Sequence, residues 1–155
     1  MTRTLQEEIR QTKPFSTKTG EAFLSIMRTA TVLEHEQTEA LRPHGITPTQ
    51  YNVLRILQGA GKDGLCGREI ADRLISRVPD VSRLLDRMDD MELVSRVRDT
   101  GDRRHVTARI SQKGRRIIAQ ATPDLETIER KHFKRLDPRA VTSLIDTLAE
   151  IRDPF

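Results

Sequence analysis

The sequence has little of several residue types, and each scarcity excludes a class of structure. A single cysteine, Cys66, excludes an internal disulfide and a zinc site built from several cysteines. Aromatic residues make up only 3% of the 155 residues, too few for the stacking platform that binds single-stranded nucleic acid. No apolar run approaches the roughly 20 residues that span a bilayer. We therefore expect a protein without a membrane partner, whose core consists mostly of aliphatic residues from packed helices.

Motifs that carry catalysis or hold cofactors are equally scarce. The glycine-rich segment GAGKDG at 59–64 fails the phosphate-binding pattern GxxxxGK followed by Ser or Thr, because Leu65 comes next. We interpret it as a loop between helices. The four histidines form neither HxxxH nor HExxH. We expect no enzyme activity, no cofactor and no metal ion. The lone cysteine and the lack of a signal peptide favour the cytoplasm.

Positive charge is concentrated in one segment. The net charge of the chain is +4, and residues 94–118 contain eight basic residues against two acidic ones. The remainder holds 19 basic and 21 acidic residues. This distribution favours one local contact with a polyanion. The alternative is a solvated arginine-rich surface that neutralises itself.

The first third of the chain predicts an arm and two helices. Residues 1–15 are polar and without clear periodicity, and we expect a flexible arm there. Apolar residues at helical spacing predict a helix over 16–41. The segment TPTQ is typical of a helix start, because Thr47 can cap the helix, Pro48 suits its first position and Gln50 completes a capping box.

Two short helices with a tight break between them follow. The first is expected over 67–75, with one apolar face formed by Ile70, Ala71 and Leu74. Pro79 is expected to open the second helix at its first position, with Asp80 near the positive end of the helix dipole. The second helix has an apolar stripe at i, i+3, i+4 and i+7, formed by Val81, Leu84, Leu85 and Met88. The pattern is that of a helix-turn-helix.

Residues 97–111, VRDTGDRRHVTARIS, predict a β-hairpin around a turn at 99–102. In its second strand, Val106, Ala108 and Ile110 alternate with polar residues, so one face should pack inward. A helix-turn-helix followed directly by a basic hairpin, here 94–110, predicts a winged helix. The expected fold class is therefore mainly α with a small β-hairpin wing.

Two amphipathic helices are expected at the C-terminus. Ser111 is expected to cap the first, and Pro123 inside its apolar pattern predicts a kink or a break. Asp137 and Pro138 are expected to begin the last helix as its cap and first residue. The last helix has an apolar stripe formed by Val141, Leu144, Ile145, Leu148 and Ile151.

Five elements occur in order between Ile46 and Gly114: ITPTQYNVLRIL, EIADRL, VPDVSRLLDRMDDMELVSRVRD, DRRHVTARIS and Gly114 itself. Together they resemble the MarR family of bacterial transcription regulators. The wing of that family reads D-x-x-D-x-R, and its second strand ends in Leu-Thr-x-x-Gly. The matching residues here are Asp99, Asp102, Arg104, Ile110, Ser111 and Gly114.

The resemblance implies a homodimer whose terminal helices intertwine. It divides the chain into a flexible arm (1–15), an N-terminal dimerisation helix (16–45), a winged helix-turn-helix DNA-binding region (46–112) and C-terminal dimerisation helices (113–155). Dimerisation would cover the apolar stripes of the terminal helices, which otherwise remain exposed. The alternative is a closed monomeric bundle.

The resemblance also implies which residues contact double-stranded DNA. The second helix would be the recognition helix in the major groove, with Asp80, Ser82, Arg83 and Arg87 as candidate DNA-binding residues. We favour Arg83 as a base reader, since arginine can bridge guanine O6 and N7. Arg77, in the turn, is expected at phosphate. In the wing, Arg104 would enter the minor groove with Asp102 orienting it, and Arg98 and Arg103 would contact phosphate.

The function implied by the resemblance is that of a homodimeric, sequence-specific regulator, expected to be a repressor acting on a pseudo-palindromic operator. A small aromatic or phenolic effector is expected to release it. The alternative is a winged-helix module that binds another protein, against which the charge of +6 on one segment argues. Some relatives sense oxidants through a cysteine near the N-terminus. Cys66 lies elsewhere, and we interpret it as structural.

The sequence departs from the family pattern at the end of the recognition helix. The family usually has Gly where this chain has Glu92, and Gly there would end the helix in a left-handed conformation. Glu92 is therefore expected either to be strained or to end the helix differently. Asp89 and Asp90 are acidic for a helix near phosphate, and we expect them at its C-terminal end, turned away from DNA.

Overall fold

The chain folds into seven α-helices and three short strands within residues 3–98 and 106–153, the part that the computed structural model describes. The elements are α1 (Leu5–Glu8), α2 (Lys18–Leu41), α3 (Pro48–Ala60), β1 (Leu65–Cys66), α4 (Gly67–Arg73), α5 (Val81–Asp90), β2 (Val94–Arg98), β3 (Val106–Ile110), α6 (Gln112–Phe133) and α7 (Pro138–Arg152). The winged helix-turn-helix expected from the sequence is confirmed: α4 and α5 form the helix pair, and β2 and β3 form the wing strands.

The sheet has one strand more than the sequence predicted. β3 pairs antiparallel with both neighbours in the order β1-β3-β2, with Val94 opposite Ile110 and Arg98 opposite Val106. β1 contributes only two residues, which is too short for an alternating pattern to show. Gly64 precedes it at φ +72°, and a Cβ there would lie 2.4 Å from the carbonyl oxygen of Ala108. Only glycine allows β1 to approach β3 so closely.

The hydrophobic core lies under the helix pair and the base of the wing. Three residues of the α5 stripe, Leu84, Leu85 and Met88, are buried, and Val81 packs against them. Apolar faces of α3 and α6 complete the core through Val53, Leu54, Leu57, Ile118, Ala121 and Leu125. The prediction for α4 was partly wrong: Ile70 is fully buried, but Ala71 is exposed. The helix ends at Arg73, two residues earlier than expected, so its buried face is narrower.

Three of the four predicted helix starts are confirmed. Thr47 and Gln50 form the expected capping box, the Ser111 hydroxyl accepts from the backbone N–H of Gly114, and Asp137 caps the helix that opens with Pro138. The start at Pro79 was wrong, because α5 begins at Val81. The Asp80 carboxylate accepts from the backbone N–H of Arg83 at 2.9 Å, and this bond makes Asp80 the cap.

Pro123 does not break α6, which runs from Gln112 to Phe133. Of the predicted kink or break, the break was therefore wrong. Next to the proline, the Thr122 hydroxyl donates to the carbonyl of Ile118 in the same helix at 2.8 Å and bonds the hydroxyl of Tyr51 in α3 at 2.9 Å. The bond to Tyr51 ties this part of α6 to α3.

Polar contacts fasten α2 and its end to α6. The Glu36 carboxylate accepts hydrogen bonds from Lys131 at 2.9 Å and from His132 at 3.0 Å. Lys131 and His132 together hold the pKa of Glu36 below its usual value. His44 pairs with Asp124 at 2.7 Å. These contacts orient the long N-terminal helix relative to α6.

The terminal helices carry large apolar side chains that the chain itself leaves exposed. They are Phe23, Leu24 and Met27 in α2, Phe133 in α6, and Leu144, Ile145 and Ile151 in α7. No residue of α7 is buried. The stripe predicted for this helix is therefore present but is not covered within the described part of the chain. The N-terminal arm contains a short helix, α1, that the sequence did not predict; its Glu8 pairs with Arg28 of α2 at 3.6 Å.

The recognition helix ends at Glu92 with a left-handed backbone, φ +60°. The backbone N–H of Glu92 bonds the carbonyl of Asp89 at 2.8 Å, and that of Leu93 bonds the carbonyl of Met88 at 2.9 Å. This pair of bonds is a Schellman motif, which usually has glycine at the left-handed position. The hydroxyl of Ser111, the N-terminal cap of α6, donates to the carbonyl of Glu92 at 2.6 Å. This hydrogen bond holds the backbone of Glu92 in its strained conformation. The expectation of strain is thus confirmed.

Replacing the strained residue should stabilise the protein. We expect Glu92→Gly to raise the free energy of unfolding by about 1 kcal/mol, because glycine adopts a positive φ without a Cβ penalty. In a chain of this size, that gain corresponds to roughly 2–4 °C in Tm. Thermal unfolding followed by circular dichroism measures it. Glu92→Ala is the control: it removes the carboxylate but keeps the Cβ, so a similar gain there would show that strain is not the cause.

Candidate nucleic-acid interface

The face of α5 opposite the core presents arginines to solvent. Ser82, Arg83, Asp86 and Arg87 are all exposed, and they stand on the side away from the buried stripe. Arg83 and Arg87 lie one helical turn apart, and the guanidinium Nε of Arg87 donates to the carbonyl of Arg83 at 3.4 Å. The helix therefore offers two neighbouring guanidinium groups on one surface.

Asp80 positions the first of these arginines. Its Oδ1 accepts from the Arg83 backbone N–H, while its Oδ2 lies 3.4 Å from the Arg83 side-chain Nε. The Arg83 side chain remains 79% exposed, so the pair leaves it accessible to a ligand. Asp80 thus caps α5 and orients the Arg83 side chain. The DNA contact that the sequence predicted for Asp80 stays a prediction. Arg77 is exposed in the segment between α4 and α5.

The wing lies beside α5, and its base is tightly held. Leu93 and Val94 are buried where α5 passes into β2. The backbone N–H of Ser111 bonds the carbonyl of Leu93 at 3.1 Å. Gly114 packs on the same point, since a Cβ there would lie 2.4 Å from the Leu93 carbonyl oxygen. The wing therefore leaves the core at a position fixed by backbone contacts.

Two arginines follow Val94 on one face of β2. Burial decreases outward along this face, from buried Val94 through half-buried Arg96 to exposed Arg98. Arg98 is thus exposed on the wing, and its phosphate contact stays a prediction. The three other predicted wing residues, Asp102, Arg103 and Arg104, lie outside the described residues, and their roles stay predictions.

Arg96 forms an ion pair that the sequence analysis missed. Its Nη1 pairs with Oδ1 of Asp86 on α5, and its side chain is only 24% exposed. Asp89, one turn further along α5, lines the same cleft between helix and wing, together with Arg98 and Val106. The sequence could have shown that Val94, Arg96 and Arg98 share one face of a strand, because they are spaced two residues apart. It could not show that Arg96 pairs with Asp86, because the packing of β2 against α5 is set by the tertiary fold.

A second cleft separates the long N-terminal helix from the helix-turn-helix. It consists of two adjoining cavities of about 260 and 430 Å³ that share Gln37, Pro48, Asn52 and Ile75. Ile75, between α4 and α5, is 89% exposed, and its backbone N–H donates to the Asn52 side-chain oxygen at 3.0 Å. The lining therefore connects α2 and α3 to the turn that precedes the recognition helix.

The described residues contain no group of three or more His, Cys, Asp or Glu side chains arranged to hold a metal ion.

Cys66 is half-buried at the start of α4, where its backbone N–H donates to the Glu69 carboxylate at 2.8 Å. Within the part of the chain that the structure describes, no helix combines the length and the apolar character that crossing a membrane would require.

Comparisons with known proteins agree with this geometry. A model of the MarR family matches residues 44–105, which run from the end of α2 into the wing. The HTH-type transcriptional regulator MhqR of Bacillus subtilis is 25% identical over 107 residues, covering 69% of this chain and 72% of that protein.

Solved structures show the same fold over most of the chain. AbsC, a MarR family transcriptional regulator from Streptomyces coelicolor, is similar with a TM-score of 0.75 and 25% identity over 91% of this chain and 97% of its own. The MepR–DNA complex of S. aureus gives a TM-score of 0.77 at 21% identity, covering 86% and 97%. The organohalide-sensing regulator RdhR, bound to 2,4-dichlorophenol, gives 0.80 at 18%, covering 92% and 86%. With its helix pair, wing and flanking helices, the chain is similar to the MarR family of winged helix-turn-helix transcription regulators, in sequence over residues 44–105 and in fold over most of its length.

Proposed function

We propose that this protein is a repressor that binds a pseudo-palindromic DNA operator as a homodimer. The observation that carries the proposal is the pair of exposed arginines, Arg83 and Arg87, on the outer face of α5 beside an arginine-bearing wing. An α-helix fits the major groove of B-form DNA, where arginine recognises guanine. The solved complex of MepR with DNA supports the use of this fold on duplex DNA.

For the described residues 77–98, each proposed role follows from position, and for Asp102, Arg103 and Arg104 it follows from the sequence pattern of the wing. Arg83, at the start of α5 and oriented by Asp80, reads a base, with Ser82 next to it. Arg87, a turn further from the helix start, and Arg77, in the preceding segment, contact phosphate. In the wing, Arg98 and Arg103 contact phosphate, and Arg104 enters the minor groove with Asp102 orienting it.

The homodimer is proposed from the uncovered apolar faces of the terminal helices. Ile145 is 59% exposed and Phe23 64% exposed, and neither helix is covered by another part of the described chain on that side. Exposed apolar area of this extent marks an interface. A twofold assembly would carry two copies of α5, which suits half-sites spaced by about one DNA turn, roughly 34 Å.

The effector site is proposed at the cleft between α2, α3 and the turn before α5. Its apolar lining includes Leu33, Leu74 and Ile75, with Asn52 as a hydrogen-bonding group. Such a lining suits a small aromatic or phenolic molecule. The structure of RdhR with 2,4-dichlorophenol supports this chemical class. A ligand here would contact the turn that positions the recognition helix.

The DNA contacts are tested with duplexes recovered from a random pool by the purified protein. We expect twofold-symmetric sequences. Arg104→Ala should weaken binding and reduce the salt dependence by about one counterion, because a groove contact beside the phosphates is lost. Arg83→Ala should cost about 1–3 kcal/mol and relax the preference at one base pair per half-site.

Binding isotherms at several salt concentrations give the DNA affinity and its salt dependence. Arg139→Ala, which removes an exposed charge from α7, is the control and should leave the affinity and the salt dependence unchanged. A recovered pool without sequence preference would contradict operator binding. If instead the protein ignores DNA and captures a partner protein, the winged helix is an interaction module.

The homodimer is tested at Ile145. We expect Ile145→Asp to shift the protein from dimer to monomer in sedimentation velocity, since a carboxylate would be buried against apolar side chains of the second copy. Operator affinity should fall with it, because one recognition helix per molecule remains. Ser143→Asp adds the same charge to the polar side of α7 and should stay dimeric. A monomeric wild type would contradict the proposal.

The effector cleft is tested with 2,4-dichlorophenol as the probe. Saturating probe should raise Tm by binding only the folded state, and should lower the affinity for the recovered duplex. Ile75→Thr removes exposed apolar area from the cleft and should weaken both effects. Val97→Thr makes a similar change on the wing, outside the cleft, and should leave them intact. Equal loss in both variants would argue against this site.

A further inference from the structure

We propose that the Asp86–Arg96 ion pair is a brace that sets the angle between the wing and the recognition helix. Asp86 is then a positioning residue that strengthens DNA binding, although its own charge repels phosphate. The inference rests on the proposed DNA-binding function. It concerns two residues to which neither composition nor motif assigned a role.

The pair joins the two elements that would enter adjacent grooves. Asp86 lies midway along α5, directly before Arg87, and Arg96 is the central residue of β2, opposite Ala108 in β3. Asp86 is 59% exposed, whereas Arg96 is 24% exposed. The Asp86 side chain therefore extends from the exposed face of α5 to Arg96, a half-buried arginine of the wing strand β2.

The pair can affect the tilt of the wing because Arg96 lies halfway along β2. Packing at Leu93 and Val94 and the backbone bond from Ser111 fix the base of the wing, and β1 supports β3 by pairing with Ala108 and Thr107. β2 lies at the opposite edge of the sheet from β1, and its Val97 and Arg98 are exposed. None of these contacts joins β2 to α5 beyond Val94, so this edge of the sheet can still tilt towards or away from the helix. A contact halfway along β2 removes that freedom.

Arg96 is committed to this contact and is unavailable to phosphate. Its Nε is buried and has no hydrogen-bond partner among the described residues. A buried donor without a partner is unfavourable, so the side chain stays there only because the ion pair and its packing hold it. The positive charge of Arg96 is thus used within the protein, in contrast to the exposed charge of Arg98.

The brace and a simple charge effect predict opposite changes in DNA affinity for Asp86→Asn. Removing a carboxylate from a DNA-facing helix reduces repulsion, so charge alone predicts that Asp86→Asn binds DNA more tightly. If the pair positions the wing, Asp86→Asn loses the minor-groove contact and binds more weakly. Asp89→Asn is the matched control, because it makes the same change in the same helix and cleft, and Asp89 has no ion pair within the described residues.

The experiment measures affinity for a labelled duplex that the wild-type protein has recovered from a random pool. We expect Asp86→Asn to bind roughly tenfold more weakly, about the effect of one lost groove contact. Asp89→Asn should bind as well as wild type or better. The double variant Asp86→Arg with Arg96→Asp restores the pair with reversed partners and should recover part of the loss.

A double-mutant cycle with Arg104→Ala separates positioning from mere folding. If the brace acts through the wing, Asp86→Asn should have little further effect once Arg104 is absent, so the two losses should not add. Additive losses, or a loss explained by unfolding in circular dichroism at the assay temperature, would overturn the brace. So would Asp86→Asn binding as tightly as Asp89→Asn. Failure of the wild type to recover any duplex would instead contradict the proposed function.

Discussion

The burial of one face of α5 is the constraint on which the rest of the structure depends. Leu84, Leu85 and Met88 enter the core together, and burying three such side chains contributes several kcal/mol. The hydrophobic effect thereby fixes the rotation of the helix about its own axis. Because the stripe faces inward, Arg83 and Arg87 must face outward. The orientation of the candidate DNA-reading surface is thus a consequence of core packing rather than of any interaction among the arginines themselves.

The wing inherits its position from the same packing. The end of the helix and the turn into β2 occupy the six consecutive residues from Met88 to Leu93, and their backbone hydrogen bonds fix the direction in which the strand leaves. A strained Glu92 is tolerated here because Ser111 and the buried Leu93 hold the backbone around it. Of the acidic pair Asp89 and Asp90 near this end, Asp89 lines the cleft between α5 and the wing. In the same cleft, Asp86 neutralises an arginine of the wing.

The remaining helices are arranged around this unit so that two functions can be coupled. α2 is fastened to α6 by Glu36, Lys131 and His132, while its other side faces the cleft that reaches the turn before α5. The apolar side of α7 is left for another surface. If α2 contributes to a dimer interface at one end and to a ligand cleft at the other, as we propose, it can transmit a change between them. This is the physical basis on which we propose regulation by a small molecule.

The sequence by itself determined the fold class, three helix starts and the helix-turn-helix with its wing. These features depend on local chemistry: the period of apolar residues, a side chain that caps a nearby N–H, and the proline beside it. The same local rules led to an error at Pro79, where the carboxylate of Asp80 took the cap. They also allowed a break at Pro123, where α6 instead continues and Thr122 bonds Tyr51 of α3.

Only the tertiary structure decided which charges are available and which are already paired. Arg83 and Arg96 are both arginines of the winged helix-turn-helix, yet one is 79% exposed and the other 24%. No local pattern distinguishes them, because the partner of Arg96 lies ten residues away on a different element. β1 was likewise invisible, since two residues carry no periodicity and their strand character comes from pairing with β3. Contacts between elements depend on how buried faces meet, and that is a property of the whole chain.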